Sequence, residues 1–305
     1  MSMHAMFEHR AALLAQCPPA PAPPSEADAA TLSVHVTTKG AAGPTVLVVH
    51  GGVQGGLGGG ASTFVRQEPL AERGWQLRLV DRPGFGQSPS RGVDGMVADA
   101  PWIADLLGDG AHLVGHSWGG AEALLAAARR PNAVRSLVLV EPALQPLLMS
   151  DPAVQSNPAV MADAGRTAQS LMAAKTPGEY ALTFARSLGT MPANAPNPVT
   201  ALEADPERAT RAGCALLQAR MAPPDVMRQA AAAVAHAGIP VLVITGGWSP
   251  SFDAVGDLAA RLTHGRHVVV RSPNHFPQLA NADEFNTVVD AFLREADRAR
   301  AAGAR

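Results

Sequence analysis

The sequence predicts an α/β protein: a mostly parallel central sheet with helices on both faces. Two observations predict this class. Short runs rich in Val, Leu and Ile alternate along the chain with Ala-rich segments of helical periodicity. The central runs are continuously apolar rather than alternating, as is typical of parallel strands that are covered on both faces. With 305 residues, 47% apolar and 16% charged, the chain can bury about three quarters of its unfolded surface.

The apolar runs and the segments between them define the predicted elements. Seven runs are predicted as strands, at about 31–37, 45–50, 76–81, 111–116, 136–141, 240–245 and 266–271. The helices expected to cover the sheet lie at about 61–73, 93–107, 119–130 and 282–302. Helices that connect successive strands are the crossovers that a parallel sheet requires.

Two regions are predicted to lie outside the α/β core, which we assign to 31–141 and 239–305. Residues 1–30 form an N-terminal arm, with a short helical candidate followed by a Pro/Ala tract. Residues 142–238 lack strand signals and show helical periodicity at 207–220 and 225–235. We interpret this segment as a helical lid or cap inserted before the penultimate strand, because long inserts between core strands usually form binding surfaces.

Charge and cysteine content narrow the possible partners and the location. The formal charge of −2 and the lack of a long basic run argue against nucleic acid. No apolar run approaches the roughly 18 residues of a membrane span. Cys17 and Cys214 match no metal or redox spacing and are predicted to be free thiols. With no secretory leader evident, we expect a cytoplasmic protein that acts on a small molecule. A homodimer is one candidate assembly.

The segment 111–130 predicts a strand, a sharp turn and a helix, with Ser117 at the turn. Gly115 and Gly119 stand two residues before and after the serine, where a tight turn leaves no room for larger side chains. A serine delivered in this way to the carboxyl edge of a sheet is a candidate nucleophile. The alternative is a serine that merely caps the helix.

A second glycine-rich turn is a candidate oxyanion hole, the set of N–H groups that stabilises a developing negative oxygen. The apolar run at 46–49 ends in a His-Gly-Gly sequence at 50–52. We expect Gly52 or Val53 to supply one N–H and Trp118 the other. The glycines continue to Gly60 but lack the Lys-Ser/Thr ending of a phosphate-binding loop. We therefore predict no cofactor and no metal, and we interpret His50 as structural.

Three segments together resemble the α/β-hydrolase family: the His-Gly-Gly loop, the Asp-Arg-Pro-Gly-Phe-Gly-Gln-Ser turn at 81–88 and the Gly-His-Ser-Trp-Gly-Gly turn at 115–120. The resemblance covers about 45–142 and 238–293. It implies a serine hydrolase that needs no cofactor, with its residues in the order serine, acid, histidine. Serine as nucleophile argues against the dehalogenase and epoxide-hydrolase branches, which use aspartate.

The resemblance also indicates the general base. His275 lies in a loop after the last predicted strand and before a segment with helical spacing, as the histidine of the family does. It would take the proton of Ser117 and return it to the leaving group. The competing histidines, His264 and His267, lie before or within the strand.

The acid does not follow the family pattern. The resemblance implies a G-x-x-D motif after the strand that follows the insert, but Ser249 stands at the expected position. Asp253, four residues further on, is one candidate, and it could equally cap a helix. Glu141 is our preferred acid, because it ends the strand next to the nucleophile strand, and Pro142 favours an extended backbone there. A structural salt bridge beneath the lid is the alternative role for Glu141.

Together these residues predict a carboxylesterase or lactonase that forms an acyl-enzyme on Ser117. Apolar side chains of the insert indicate a mostly apolar substrate; the candidates are Leu144, Leu147, Leu148, Met149, Met161 and Met172. The same triad would also serve a C–C hydrolase, an acyltransferase or a perhydrolase. The missing acid motif leaves open a ligand-binding or signalling protein on a hydrolase scaffold.

Overall fold

The computed structural model describes residues 3–20, 33–54, 59–189, 191 and 197–303. Its centre is one sheet of seven strands: β1 (Val36–Lys39), β2 (Thr45–Val49), β3 (Gln76–Val80), β4 (Ala111–His116), β5 (Val134–Val140), β6 (Val241–Thr245) and β7 (Arg266–Val269). The strand order is β1-β3-β2-β4-β5-β6-β7. Only β1 runs antiparallel to its neighbour. The predicted fold class is confirmed.

Fifteen helices are present in the described residues. They are α1 (Met3–Leu14), α2 (Gly60–Thr63), α3 (Glu68–Glu72), α4 (Met96–Leu106), α5 (Trp118–Arg129), α6 (Gln145–Met149), α7 (Pro152–Gln155), α8 (Pro158–Met172), α9 (Pro177–Ser187), α10 (Pro198–Ala204), α11 (Pro206–Gln218), α12 (Pro224–His236), α13 (Pro250–Thr263), α14 (Pro277–Ala280) and α15 (Ala282–Gly303). One apolar cluster joins the sheet to α4, α5, α12 and α13. A second joins it to α3 and α15. Both faces of the sheet are therefore covered.

The register of the central strands sets the position of the candidate site. His116 at the end of β4 pairs with Val140 at the end of β5. Val140 in turn pairs with Ile244 of β6. Because these strands are parallel, the residues that follow them emerge at one edge of the sheet.

Two predicted elements differ from the structure. The helix predicted over 61–73 is split into α2, a 3₁₀ turn (Val65–Gln67) and α3. Pro69 explains the restart, because proline fits the first turn of a helix and disrupts its interior. The first strand lies at 36–39 instead of 31–37, and residues 31 and 32 fall outside the described residues.

The segment between β5 and β6 is helical throughout its regular elements, from α6 to α12. Sequence periodicity located α11 and α12 but missed α8 and α9. A different signal was present: α7 to α11 each begin with a proline, and the residue before it accepts hydrogen bonds from the first turn. These capping residues are Asp151, Asn157, Thr176, Asn197 and Asp205. The lid boundaries, 142–238, stay a prediction.

The prediction of two free thiols is wrong. Cys17 and Cys214 form a disulfide, with Cα atoms 5.5 Å apart, that joins the end of α1 to α11. Arg10 adds a second link, because its Nη2 donates to the Leu217 carbonyl at 2.6 Å. The two cysteines lie 197 positions apart, so no local spacing could reveal the pairing. Within the described ranges, no helix has the length and apolarity to cross a membrane.

Candidate active site

Ser117 lies on a strained turn between β4 and α5. Its backbone angles are φ 54° and ψ −120°, a region that side-chain-bearing residues avoid unless the surroundings impose it. The Ser117 N–H donates to the Val140 carbonyl at 2.9 Å. The hydroxyl makes no capping hydrogen bond to α5. The interpretation of Ser117 as a simple helix cap therefore has no support in its contacts.

The flanking glycines are required by close backbone contacts. A Cβ on Gly115 would lie 2.4 Å from the Gly119 carbonyl oxygen, and one on Gly119 would lie 2.4 Å from the His50 oxygen. A Cβ on Gly51 would lie 2.5 Å from the Ser117 Cβ. The glycine loop that follows β2 therefore packs directly against the turn that carries Ser117.

Glu141 follows β5 with a φ of 45°. The prediction that Pro142 keeps Glu141 extended is therefore wrong. Two backbone hydrogen bonds explain the sharp turn: the Glu141 N–H donates to the Ile244 carbonyl at 2.8 Å, and the Ala143 N–H donates to the Ser117 carbonyl at 2.9 Å. The chain therefore turns away from the sheet at Glu141, so that the Ala143 N–H can reach the Ser117 carbonyl.

The Glu141 carboxylate is fully buried and contacts three N–H groups. Its Oε1 accepts from the Gly246 N–H at 2.5 Å. Its Oε2 lies 3.1 Å from the Trp248 indole nitrogen and 3.0 Å from His275 Nδ1. The structure thus brings together Glu141 and His275, the preferred pair from the sequence.

Asp253, the alternative acid, faces elsewhere. Its Oδ1 accepts from the Thr245 hydroxyl at 2.5 Å and from the Gly247 N–H at 3.3 Å. Ser249, at the position that the resemblance assigns to the acid, caps α13 by accepting from the Phe252 N–H. Asp253 and Ser249 therefore make hydrogen bonds within the segment that follows β6, and none of these bonds is to His275.

His275 is buried and held on several sides. The backbone N–H of His275 donates to the Leu188 carbonyl at 2.9 Å. His116 Nε2 lies 2.8 Å from the His275 carbonyl oxygen, and because a carbonyl only accepts, this nitrogen carries the proton. The ring of Phe252 lies 4.7 Å from that of His275, centroid to centroid. These contacts fix the position of the imidazole.

Burial shifts the pKa values of both Glu141 and His275. It lowers the pKa of His275 to about 3, so the imidazole is neutral at rest. It raises the pKa of Glu141 to about 8, against the lowering effect of the Gly246 and Trp248 N–H groups. When Glu141 is ionised, its carboxylate accepts a hydrogen bond from the His275 Nδ1–H, which leaves the lone pair on Nε2. That tautomer is the one a general base needs.

The candidate oxyanion donors are free to bind. Among the residues that the structure describes, no acceptor contacts the backbone N–H of Gly52, Val53 or Trp118. Gly52 has a φ of 86°, which favours glycine. Trp118 opens α5, whose positive N-terminal end also favours a negative oxygen.

The other predicted site residues lie apart from this arrangement. His264 ends α13 in a left-handed conformation. His267 bonds to Asp257 Oδ1 at 2.6 Å and to the Thr245 hydroxyl at 2.7 Å. Residues 55–58 of the glycine cluster fall outside the described residues. Across the described ranges, no three His, Cys, Asp or Glu side chains form a group able to hold a metal ion.

Several supporting residues were missed by sequence reasoning. Gly246, Trp248 and Leu188 hold the acid and the base, and His116 holds the loop of the base. Only His116, next to the serine, had a positional signal. The others depend on which loops the fold brings together.

A family model described as alpha/beta hydrolase fold matches residues 44–282. The chain belongs to this family. This α/β hydrolase is 36% identical over 115 residues to 2-hydroxy-6-oxononadienedioate/2-hydroxy-6-oxononatrienedioate hydrolase of Paraburkholderia phymatum. It is 35% identical over 102 residues to pimeloyl-[acyl-carrier protein] methyl ester esterase of Aeromonas salmonicida. The matched parts are 36% and 32% of this chain, and they span only 40% and 37% of the two relatives.

Solved structures show the same fold over most of the chain. The 2-hydroxy-6-oxo-6-phenylhexa-2,4-dienoate hydrolase of Rhodococcus sp. strain RHA1 has a TM-score of 0.62 at 20% identity, covering 86% of the α/β hydrolase and 100% of the Rhodococcus chain. An esterase from Exiguobacterium antarcticum has a TM-score of 0.61 at 18% identity, covering 86% and 96%. At these identities the likeness concerns the fold alone.

Proposed function

We propose that this protein is a serine hydrolase that cleaves an ester-like bond through an acyl-enzyme on Ser117. The observation that carries the proposal is the buried Glu141–His275 pair, with Oε2 and Nδ1 3.0 Å apart, at the sheet edge where Ser117 stands on a strained turn. The strained, uncapped serine follows His116, whose side chain contacts the His275 carbonyl. Together with an oriented neutral imidazole, it supports nucleophilic catalysis.

The proposed mechanism gives each of the three side chains one role. Ser117 Oγ attacks the substrate carbonyl while His275 Nε2 takes its proton, and Glu141 stabilises the imidazolium that forms. The N–H groups of Trp118 and of the Gly52–Val53 loop stabilise the tetrahedral oxyanion. His275 then protonates the leaving group, and a water activated by His275 hydrolyses the acyl-enzyme.

The insert is proposed as the lid of this site. Leu188 after α9 binds the His275 loop, as described above, and Gly189 forms a bridge with Asn274. Asp163 on α8 accepts hydrogen bonds from the hydroxyls of Ser249 and Ser251, at 2.7 and 2.8 Å. These contacts attach the insert to the loop after β6 and to the His275 loop, and they support its role as a lid.

A C–C bond hydrolase is the second candidate, because several relatives are named as hydrolases of 2-hydroxy-6-oxo acids. Hydrolysis of such a compound at its ketone breaks a carbon–carbon bond, which needs an added proton-transfer step at carbon. The apolar substrate expected from the insert is proposed for either reaction. Leu144, Leu147 and Leu148 are part of the packed core, whereas Met149 is 49% exposed.

The test compares 4-nitrophenyl esters of graded acyl length with 2-hydroxy-6-oxo-6-phenylhexa-2,4-dienoate, using the wild type and Ser117→Ala. We expect ester turnover and labelling of Ser117 by a fluorophosphonate, both lost in the variant. Faster turnover of the dienoate than of any ester would favour the C–C hydrolase. Failure of Ser117 to label would reject the acyl-enzyme and favour a ligand-binding protein.

The proposed cytoplasmic location needs separate evidence. The free thiols predicted from the sequence would fit a reducing compartment. The structure instead shows a disulfide between Cys17 and Cys214, and such bonds persist mainly in oxidising compartments. Cell fractionation with thiol trapping tests it: a cytoplasmic protein should be recovered with the soluble cytoplasmic fraction.

A further inference from the structure

Arg82 lies beneath the glycine loop and is completely buried. Its Nη1 donates to the Gly52 carbonyl at 2.9 Å. Its Nε and Nη2 donate to the two carboxylate oxygens of Glu122, at 2.8 and 2.9 Å. Nη2 also lies 3.1 Å from Asp94 Oδ1. The triad mechanism uses none of these three charged side chains, although burying charges is costly.

The contact with Gly52 fixes the direction of one N–H group. The Gly52 carbonyl and the Val53 N–H belong to one planar trans peptide, in which C=O and N–H point in opposite directions. Because Arg82 holds the oxygen on the buried side, the Val53 N–H must point to the other side. The structure leaves that N–H without an acceptor among the described residues.

His50 orients the preceding peptide in the same way. The His50 Nε2 lies 3.0 Å from the backbone nitrogen of Arg82. A backbone N–H only donates, so Nε2 accepts and Nδ1 carries the ring proton. Nδ1 therefore donates to the Gly51 carbonyl, 2.7 Å away. The carbonyls of Gly51 and Gly52 are thus held by the side chains of His50 and Arg82 respectively. His50 is itself held by the backbone of Arg82.

Glu122 connects this loop to the second donor. The Trp118 indole N–H donates to Glu122 Oε1 at 2.7 Å, and the same oxygen accepts from Arg82 Nη2. The backbone N–H of Trp118 is the other candidate oxyanion donor. One buried carboxylate therefore joins the residues that carry both N–H groups.

We propose that Arg82 is a positioning residue that holds the Val53 N–H in place as an oxyanion donor, and that Glu122 couples this donor to Trp118. The inference rests on the proposed function, since it assumes that an oxyanion forms at Ser117. Loss of the contact would let the Gly52–Val53 peptide rotate and present a carbonyl oxygen to the anion. Glycine at position 52 makes that rotation easy.

The first test is the Arg82→Lys variant, which keeps the positive charge but loses the forked donor geometry. We expect kcat to fall by about 10²–10³, the effect of losing one oxyanion donor, with KM little changed. The ¹⁵N shift of the Val53 amide, which senses the hydrogen bond on the Gly52 carbonyl, should move. Arg78→Lys is the control, because Arg78 Nη1 also donates to a backbone carbonyl, that of Leu106 at 2.8 Å; it should change neither kcat nor the Val53 shift.

A milder variant covers the case in which Arg82→Lys does not fold. Trp118→Phe keeps the Arg82–Glu122 pair and the backbone N–H but removes the indole donor. We expect kcat to fall by about two- to tenfold at constant KM, as for the loss of one hydrogen bond. Unchanged kcat in folded Trp118→Phe would refute the coupling.

The outcomes separate this inference from the proposed function. An unmoved Val53 shift in folded Arg82→Lys, or a moved shift with full kcat, would overturn the positioning role. A wild type whose Ser117 does not label and turns over no ester would overturn the function. In that case the Val53 shift still reports whether Arg82 holds the peptide.

Discussion

Glu141→Gln is the sharpest test of the triad, because the contacts of Glu141 leave the amide no good orientation. Three N–H donors, from Gly246, Trp248 and His275, converge on two carboxylate oxygens. A glutamine offers one oxygen and one NH₂ group. If the oxygen faces Gly246, the NH₂ faces His275 Nδ1 and donates to it, so the ring proton moves to Nε2. If the amide flips, the NH₂ meets the Gly246 N–H and a donor faces a donor.

The first orientation produces an imidazole that cannot accept the Ser117 proton. Loss of the correct tautomer in a serine triad costs about 10⁴ in kcat, which corresponds to about 5 kcal/mol of transition-state stabilisation. The assay is 4-nitrophenolate release at pH 9, where wild-type Glu141 is ionised. Circular dichroism and thermal unfolding establish that the variant is folded.

Asp253→Asn is the matched control, since Asp253 bonds to Thr245 and Gly247 instead of His275. We expect kcat to stay within a few-fold of the wild type. If folded Glu141→Gln keeps near-full activity while Asp253→Asn loses it, the assignment of the acid is wrong.

Three further predictions concern pH, the disulfide and the glycine turn. kcat/KM should rise with pH, with a midpoint near 8, because burial raises the pKa of Glu141 to about 8. Protonated Glu141 would donate its O–H to Nδ1, which leaves the ring proton on Nε2 and blocks the general base. A profile already flat at pH 6 would contradict this. Replacing Cys17 and Cys214 with serine should lower the free energy of unfolding by about 2–4 kcal/mol in urea titrations, and an equal decrease in the wild type under reducing agent is expected. Gly119→Ala should lower the free energy of unfolding by about 1–3 kcal/mol, because its Cβ would meet backbone oxygens. Gly165 in α8 has open space around it, so Gly165→Ala should raise the free energy of unfolding by up to about 1 kcal/mol. Similar unfolding midpoints for the two variants would refute the crowding argument.

The sequence could predict the parts of the fold that depend on local pattern. The central strands are buried on both faces, so their apolar runs were continuous and their positions nearly correct. The turn at Ser117 was readable because its glycines are set by contacts within a few residues. Glu141 could be named as a candidate acid from the sequence because parallel strands place their carboxyl ends at one edge of a sheet.

Long-range contacts could not be predicted in the same way. The disulfide joins cysteines 197 positions apart, and Trp248 reaches Glu141 across 107 positions. The left-handed backbone of Glu141 arises from hydrogen bonds to two other segments, which override the local preference before proline. The capped, proline-initiated helices of the insert are a different case, because their signal is local and lies in the sequence itself.

The bond between Cys17 and Cys214 closes the chain into a covalent ring that includes Ser117 and Glu141, whereas His275 lies on the tail outside it. A single backbone cut anywhere between the two cysteines opens the ring without separating the fragments. A cut between Cys214 and His275, in contrast, divides the nucleophile and acid from the base, and only folding contacts then keep them together. Nicked protein analysed with and without reduction would reveal this topology as one band or two.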